Sequence, residues 1–441
     1  MANPAWTCLP VPRLADDGDF VQATQKVLAV TYGGGHISMI LPALRGLKKR
    51  LPELEVTVLA LTTSLARARK VGLDCFGYSD LIQLFPEWTT QAQLHGERLS
   101  ASNSHPEVSA QESIAYLGLN WMDLVCQHGE VCAQSMYAHS GRAAFYPITV
   151  LRRLIQSLAP DFVLTTNSPR SEQAAVQAAV EMGIPCLSMF DLFPIENDPY
   201  AARAFQADVT TVVSSQARET LIRAGMSADK ISVTGNPAFD ELTAPQHLME
   251  SKNLLTKLGW GGRDVVLFAG YSEPSAHGIW PAGTAFPLAI EHVLRQLVHQ
   301  HSKIALLIRQ HPNSWNQYLE AWKKHPPHPR VHISLLDDES VECCILASQI
   351  VVVQASTVGL QSAIAGKSVL AMEESPSIYS ASFSWSALGV ARGVAVLKDL
   401  PAAVLHALET PRAISLDIPV DSTSKVIDLI CGRLAHVREL E

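Results

Sequence analysis

The apolar positions of this chain fall in short runs that alternate with longer amphipathic segments. These runs are rich in β-branched residues, which is typical of buried strands. In the first half they read KVLAVTY, EVTVLAL, DFVLTT, IPCLSMF, DVTTVVS and KISVTG. The segments between them have the composition and period of helices. Alternation of apolar strands with helices predicts a parallel sheet that is covered by helices on both faces.

The same pattern starts again in the second half of the chain. Its apolar runs read DVVLFAG, KIALLIRQ, RVHISLL, QIVVVQ and SVLAME. We therefore predict an α/β protein made of two Rossmann-like, doubly wound domains, with a boundary near 242–262. The domains are predicted to span residues 1–245 and 246–441, the second ending in an amphipathic helix. The alternation of strands and helices is interrupted at 86–145. This predicts a partly helical insertion beside the cleft between the two domains.

Composition and charge narrow the class of protein. Of the 441 residues, 47% are hydrophobic and 17% are charged, so the chain can bury two sizeable cores. The formal net charge of −8 argues against a general affinity for nucleic acid. The eight cysteines contain no CxxC pair, and no secretory signal or membrane-spanning run is evident. These features predict a cytoplasmic protein, with peripheral contact to a membrane left open.

The loop after the first predicted strand contains Gly33, Gly34, Gly35 and His36, followed by a predicted helix at 38–50. Glycines let a ligand approach the main chain closely, and the start of a helix offers free N–H groups. A histidine at this junction is a titratable group directed at whatever binds there. His36 is therefore a candidate catalytic acid or base, the alternative being that it merely caps the helix.

Loops after three strands of the second half carry further candidate ligand-binding residues. In open α/β sheets, ligands bind outside the carboxyl ends of the strands, where these loops converge. Hydroxyl, imidazole and guanidinium groups there can bind a phosphate, although each loop alone is also compatible with an ordinary turn or capped helix. The candidates are Gly270, Ser272, Arg309, His311, Ser356, Thr357 and Gly359.

Two further segments of the first half carry an acidic cluster and a stiff turn. The loop MFDLFPIENDP contains Asp191, Glu196 and Asp198, which could include a catalytic acid or base, although a solvated acidic loop is favoured. The motif VTGNP at Val233–Pro237 is interpreted as a stiff turn into the interdomain hinge. No GxSxG, P-loop or HExxH motif is present, and no cysteine or histidine spacing indicates a metal site.

The order of these motifs along the chain resembles that in proteins of the GT-B superfamily. The glycine-rich loop with its histidine, then VTGNP, RQHPN and STVGLQSAIAGKSVL, are similar to motifs of nucleotide-sugar glycosyltransferases of the MurG and lipid-A-disaccharide synthase type. They also resemble those of UDP-N-acetylglucosamine 2-epimerases. The resemblance implies two domains facing each other across a cleft. It implies that a nucleotide-diphosphate sugar is bound by the second domain. Helix N-termini and Arg309 could stabilise the diphosphate without a metal, and no convincing DxD-like metal pair is present, so we predict no metal and no cofactor.

Carried over by position, the resemblance assigns roles to individual residues. Gly34, Gly35 and His36 would face the donor phosphates from the acceptor side, with His36 and Asp191 as the catalytic candidates. Nucleotide and diphosphate would be bound by Gly270, Ser272, Arg309, His311, Ser356, Thr357 and Gly359. Gln361 stands where these families usually have a glutamate that serves the ribose or the sugar.

The first hypothesis from the sequence is a metal-independent glycosyltransferase that uses a UDP-sugar and an unknown acceptor. The alternative is a UDP-N-acetylglucosamine 2-epimerase, which must remove and restore a proton at a sugar carbon and so needs several placed acids and bases. The epimerase motifs GD and HxEAGLR are absent here: Asn167 stands at the first, and Asp191 is the one remnant of the second. A non-catalytic protein that binds nucleotide sugars is the third hypothesis.

Overall fold

The structure is a computed structural model that describes residues 24–101, 108–191, 193–194, 207–311, 314–335, 338–381, 384–411, 417–419 and 421–440. Within these ranges the predicted alternation of strands and helices forms two parallel sheets, one in each half of the chain. The α/β class and the two Rossmann-like halves are thus confirmed.

The sheet of the first half has the strand order β3-β2-β1-β4-β5-β6-β7, and every pairing is parallel. Residues of β1 alternate between the two faces, so that Leu28 and Val30 enter one core and Val27 and Ala29 the other. The strands are β1 (Lys26–Thr31), β2 (Glu55–Ala60), β3 (Asp74–Phe76), β4 (Phe162–Thr166), β5 (Cys186–Met189), β6 (Val209–Val212) and β7 (Ile231–Val233). The helices are α1 (Gly35–Arg50), α2 (Ser64–Lys70), α3 (Tyr78–Leu81), α4 (Thr89–Ser100), α5 (Ala110–His128), α6 (Glu130–Ser140), α7 (Ile148–Leu158), α8 (Ser171–Glu181), α9 (Ser215–Arg223) and α10 (Pro245–Lys257).

The sheet of the second half repeats this topology with the order β10-β9-β8-β11-β12-β13, again parallel throughout. One face packs on helices of the same half, while the other shares a buried core with residues of the first half, such as Phe190 and Val212. The strands are β8 (Asp264–Gly270), β9 (Ile304–Gln310), β10 (Val331–Ile333), β11 (Ile350–Val353), β12 (Ser368–Met372) and β13 (Arg392–Val394). The helices are α11 (Ala285–Gln300), α12 (Leu319–Trp322), α13 (Val341–Ala347), α14 (Val358–Ile364), α15 (Pro376–Ala381), α16 (Leu400–Glu409) and α17 (Ser422–Leu440).

Helix α17, which the sequence assigned to the second half, packs against α1 of the first half. Its Val426, Ile427 and Ile430 lie in the core beneath β1 and α1. A Cβ atom on Gly46 of α1 would lie 2.4 Å from the Ile427 side chain, so the two helices approach closely where α1 has no side chain. The apolar stripe of α17 was visible in the sequence, but the helix that it covers was not.

The two chain segments that connect the halves lie side by side. Gly235, in the predicted hinge motif, has a φ of 83°, and a Cβ there would collide with Ser422 and the Pro419 carbonyl oxygen. The Asp240 carboxylate accepts hydrogen bonds from the backbone N–H groups of Ser422 (3.0 Å) and Thr423 (2.7 Å) at the start of α17. Asp240 therefore ties one connection to the other.

The insertion at 86–145 is helical where the structure describes it, and α4 packs against α5. Its aromatic side chains pack mainly on one another. Trp121 is 2% exposed and stacks on His95 with ring centroids 5.3 Å apart, and Tyr137 packs on both Trp121 and Phe145. We conclude that these rings stabilise the insertion.

Candidate functional site

Strand order determines where a ligand can bind in each half. The order reverses between β1 and β4 in the first sheet and between β8 and β11 in the second. At such a reversal the loops leave in opposite directions and open a crevice at the carboxyl ends of the strands. The loops after these four strands hold most of the residues that the sequence selected.

The glycine loop between β1 and α1 is shaped by its neighbour, the loop after β2. A Cβ on Gly33 would lie 2.2 Å from the Thr63 hydroxyl oxygen, so only glycine fits there. Gly34 has a φ of 67°, the left-handed region that favours glycine. Helix α1 begins at Gly35 and not near residue 38, because the chain turns into the helix directly after Gly34. His36 is thereby in the first helical turn.

Four side chains meet at the crevice of the first half, and we call them the acid–base cluster: His36, Thr166, Glu172 and Asp191. His36 Nδ1 lies 2.9 Å from Thr166 Oγ1 and 3.6 Å from Glu172 Oε1. Its other nitrogen, Nε2, lies 3.9 Å from Asp191 Oδ2. The side chains of His36 and Asp191 are 20% and 22% exposed, whereas that of Glu172 is completely buried. Two of the four therefore remain open to a ligand.

Glu172 is the functional candidate that sequence reasoning missed. It lies in the first turn of α8, where its Oε1 accepts hydrogen bonds from the backbone N–H of Tyr32 (2.9 Å) and from the Thr166 hydroxyl. Oε2 is buried and has no hydrogen-bond partner among the described residues. A signal was present in SEQAAVQAAVE, because a carboxylate on the buried face of an alanine-rich helix needs an explanation.

Asp191 follows β5 and is held at the crevice by its backbone. Its N–H donates to Asn167 Oδ1 at 3.3 Å, and its carbonyl oxygen accepts a hydrogen bond from Asn236 Nδ2 at 2.8 Å. The hinge motif thus helps to position Asp191, beyond stiffening a turn. Glu196 and Asp198, the other two acids of the predicted loop, lie outside the described residues.

The second half contains a cavity of about 510 Å³ at its own crevice, a size typical of small-molecule sites. We call it the hydroxyl cavity because serine and threonine side chains supply much of its polar wall. Ser272 Oγ donates to Gln317 Oε1 at 2.8 Å, and the Ser272 N–H donates to Ser314 Oγ at 3.3 Å. The cavity is lined by Tyr271, Ser272, Glu273, Pro274, Gly283, His311, Ser314, Gln317, Ala355, Ser356 and Thr357.

Four of the predicted binding residues line this cavity: Ser272, His311, Ser356 and Thr357. Burial against its wall lowers the pKa of His311, although part of that residue stays exposed. The imidazole is therefore expected to be neutral at pH 7, able both to donate and to accept a hydrogen bond.

Other predicted binding residues lie outside the lining of the cavity. The Arg309 guanidinium donates to Ser334 Oγ at 2.7 Å and to the Leu335 carbonyl oxygen at 3.0 Å, so it is engaged at the end of β10. Gly359 is a packing position, since a Cβ there would crowd Trp385 at 3.2 Å. Gly270 closes β8 directly before Tyr271, and Gln361 lies farther along α14. Pro312 and Asn313 lie outside the described residues.

A buried aromatic contact connects the two sites. Phe193, two residues after Asp191, packs edge-on against Trp385, with ring centroids 6.3 Å apart. The Trp385 indole N–H donates to the carbonyl oxygen of Ser356, at the wall of the hydroxyl cavity, at 2.9 Å. Both rings are at least nine-tenths buried. The acid–base cluster and the hydroxyl cavity are therefore linked across the interface between the halves.

Glu273 holds the loops of the hydroxyl cavity together. It is 2% exposed, and its carboxylate accepts hydrogen bonds from Gln354, from the Ser375 hydroxyl (2.7 Å) and from the backbone N–H of Ser377 (3.0 Å). Gln354 in turn accepts from the Tyr271 N–H at 3.0 Å. One carboxylate thus joins the loops that follow β8, β11 and β12.

We expect Glu273→Gln to lower the free energy of unfolding by about 1–3 kcal/mol, because the amide nitrogen cannot accept the hydrogen bonds that the carboxylate oxygen receives. Urea unfolding followed by circular dichroism measures this. The control is Glu320→Gln, whose side chain is 81% exposed and whose effect should stay within about 0.5 kcal/mol. Equal stability of the two variants would contradict a structural role for Glu273.

Comparison with solved structures extends over nearly the whole chain. MnaA of S. aureus, in a co-structure with UDP, matches with a TM-score of 0.60 at 14% identity, covering 93% of this chain and 97% of that chain. UDP-GlcNAc 2-epimerase from Methanocaldococcus jannaschii matches with a TM-score of 0.58 at 11% identity (92% and 100%). UDP-GlcNAc 2-epimerase from Neisseria meningitidis, bound to UDP-GlcNAc, matches with a TM-score of 0.56 at 14% identity, covering 93% of this chain and 100% of that chain. The chain has the GT-B fold.

This GT-B fold is shown by structure alone. No protein-family model matches the chain, and no curated protein sequence matches it. The shared fold confirms the architecture that the sequence motifs implied. Among the described helices of this GT-B protein, none combines the length and apolar character needed to cross a bilayer.

Proposed function

We propose that this protein is an enzyme that binds a UDP-sugar in the hydroxyl cavity and moves a proton at a ring carbon of the sugar, as a UDP-N-acetylglucosamine 2-epimerase does. The observation that carries the proposal is the acid–base cluster. Its exposed members, His36 and Asp191, lie on the side of the interface opposite the hydroxyl cavity, to which Phe193 and Trp385 link them.

The chemistry of epimerisation fits two exposed titratable groups. Inverting a carbon that carries hydrogen requires removal of a proton on one face and delivery of a proton on the other. His36 and Asp191 are the two groups of the cluster that a substrate can reach. Apart from Glu273, whose carboxylate is bound by the neighbouring loops, the polar side chains that line the cavity are hydroxyls, the Gln317 amide and His311, so hydrogen bonding would provide most of the recognition of a diphosphate there.

This proposal reverses the order of preference drawn from the sequence. The epimerase was ranked second because its motifs and their placed acids were missing. The cluster supplies a buried carboxylate, Glu172, and an exposed one, Asp191, beside the same histidine. The solved structures with this fold include 2-epimerases described with UDP or UDP-GlcNAc bound, which supports the proposal.

Incubation with UDP-N-acetylglucosamine in D₂O, without an acceptor, tests the proposal. We expect the manno isomer to form and deuterium to appear at C2, both observable by proton NMR. Asp191→Asn should slow the exchange at least about 100-fold, the usual effect of losing a positioned acid or base. The matched control is Asp229→Asn, because Asp229 is exposed in the short turn directly before β7. Binding of UDP without any exchange would contradict the epimerase.

Glycosyl transfer is the second candidate, favoured by the complete burial of Glu172. With Glu172 inaccessible, the cluster presents one histidine and one carboxylate to a substrate. A transferase needs a single base to deprotonate its acceptor, so this set is sufficient for it. Release of UDP from a UDP-sugar only when an acceptor is added, with no isotope exchange, would favour transfer.

A further inference from the structure

The hydrogen bonds within the acid–base cluster bear on which ring nitrogen of His36 carries the proton. We propose that Thr166 and Glu172 are positioning residues that fix His36 as the tautomer protonated at Nδ1, leaving Nε2 as the atom that exchanges protons with the substrate. The last step rests on the proposed function, whereas the tautomer is a property of the free protein.

The direction of the hydrogen bonds follows from the inventory of donors. Glu172 Oε1 already accepts the Tyr32 N–H, and it acts as an acceptor whether or not Oε2 carries a proton. The Thr166 hydroxyl has one hydrogen, which is therefore donated to Glu172. What Thr166 offers to His36 is an oxygen lone pair, so the group that faces it at 2.9 Å must be Nδ1–H.

The positions of both residues are fixed by the fold. Thr166 is the last residue of β4 and is completely buried, and its neighbour β1 leads into the loop that carries His36. Glu172 is a residue of α8, and its carboxylate accepts a hydrogen bond from the Tyr32 N–H in that same loop. Because the acceptor of the Thr166 hydrogen is a buried carboxylate that the Tyr32 N–H also holds, turning the hydroxyl towards another group would break a buried hydrogen bond.

Among the described residues, no partner lies within hydrogen-bond distance of the opposite nitrogen of His36, Nε2. Asp191 Oδ2 lies 3.9 Å from Nε2, beyond the range of a hydrogen bond. With Nδ1 protonated, a neutral His36 presents the Nε2 lone pair to this space. An O–H or C–H group of a substrate that approaches Nε2 from the open side would have the Asp191 carboxylate beside the same nitrogen.

The tautomer can be measured without substrate. In protein labelled with ¹⁵N-histidine, two-bond ¹⁵N–¹H correlation spectra distinguish a protonated from an unprotonated ring nitrogen, and His36→Gln assigns the signals of His36. We expect neutral His36 to be protonated at Nδ1. Thr166→Val, close in volume, should change the ratio of tautomers at least about fivefold, the effect of losing one hydrogen bond. Thr166→Ser should retain the wild-type ratio.

A protonated Nε2 in the wild type, or an unchanged ratio in Thr166→Val, would overturn the proposal. Glu172→Gln provides a second test if Thr166→Val folds poorly. The glutamine amide oxygen must take the place of Oε1, because the Tyr32 N–H donates to that atom as well. Thr166 should therefore still donate there, and neutral His36 should stay protonated at Nδ1. A proton on Nε2 in a folded Glu172→Gln protein would overturn the proposed hydrogen-bond direction.

Kinetics test the positioning role separately. Thr166→Val should lower kcat about 10- to 100-fold and change KM less than about threefold, with Thr166→Ser restoring most of kcat. Wild-type turnover in a variant with an altered tautomer would overturn the role in the reaction. If the wild type turned over no sugar nucleotide, the proposed function would fail, while the NMR result would still decide the tautomer.

Discussion

His36→Ala is expected to lower turnover of a sugar nucleotide at least about 100-fold, the usual effect of losing a positioned acid or base. His36 is one of two exposed titratable groups of the acid–base cluster, and its Nε2 faces the space beside Asp191. Its removal leaves Thr166 and Glu172 bound to each other. The initial rate of product formation at saturating substrate measures the effect.

Stability separates this effect from a loss of structure. The imidazole is one-fifth exposed and contributes one side-chain hydrogen bond, so the free energy of unfolding should change by no more than about 1–1.5 kcal/mol. His139→Ala is the matched control, because His139 is exposed on α6 in the insertion. Full activity of His36→Ala, or a loss that merely follows unfolding, would show that His36 is a structural residue.

Trp385→Ala should destabilise the protein by about 3–5 kcal/mol, the usual cost of removing a fully buried large aromatic side chain. The indole is 1% exposed, packs against Phe193 of the other half and lies under Gly359. Its N–H also holds the Ser356 carbonyl oxygen. We therefore expect UDP to bind about tenfold more weakly as well, because the Ser356 backbone at the wall of the hydroxyl cavity loses the hydrogen bond that holds it in place.

Chemical unfolding and isothermal titration with UDP measure the two effects. Trp385→Phe separates packing from hydrogen bonding: it keeps most of the ring volume but leaves the Ser356 carbonyl without the indole donor, which should cost about 1–3 kcal/mol. A Trp385→Ala protein within about 1 kcal/mol of the wild type would show that the aromatic contact does not stabilise the interface.

Most strands and their order along the chain could be predicted because their signal is local, but the three-residue edge strands β3 and β13 were missed. The run DVVLFAG coincides with β8, and KVLAVTY contains β1 and one further residue. Repetition of the alternation in the second half was enough to predict two parallel sheets. Helix α1 was predicted to start three residues late, because the freedom of a glycine run hides the residue at which helical geometry begins.

Partners within the candidate site were harder to predict, because they depend on strand neighbours. His36 and Glu172 are 136 positions apart in the sequence. They meet because β4 pairs with β1 and not with β3, the strand that precedes it in the chain. Arg309 was predicted to bind a phosphate because it is a cation at the end of a strand. Its guanidinium instead donates hydrogen bonds to residues at the end of β10. Which way a strand-end side chain turns depends on its neighbours, and the sequence pattern does not contain that information.

The return of α17 to the first half has a consequence for folding during synthesis. Roughly 190 residues separate β7 from α17, and a ribosome adds about 5–20 residues per second. The sheet of the first half is thus complete about 10–40 s before α17 exists. During that time α1 lacks the cover that Val426, Ile427 and Ile430 later provide, so apolar surface is open to other chains or to a chaperone. We therefore expect the nascent first half to be prone to aggregate until α17 packs on it.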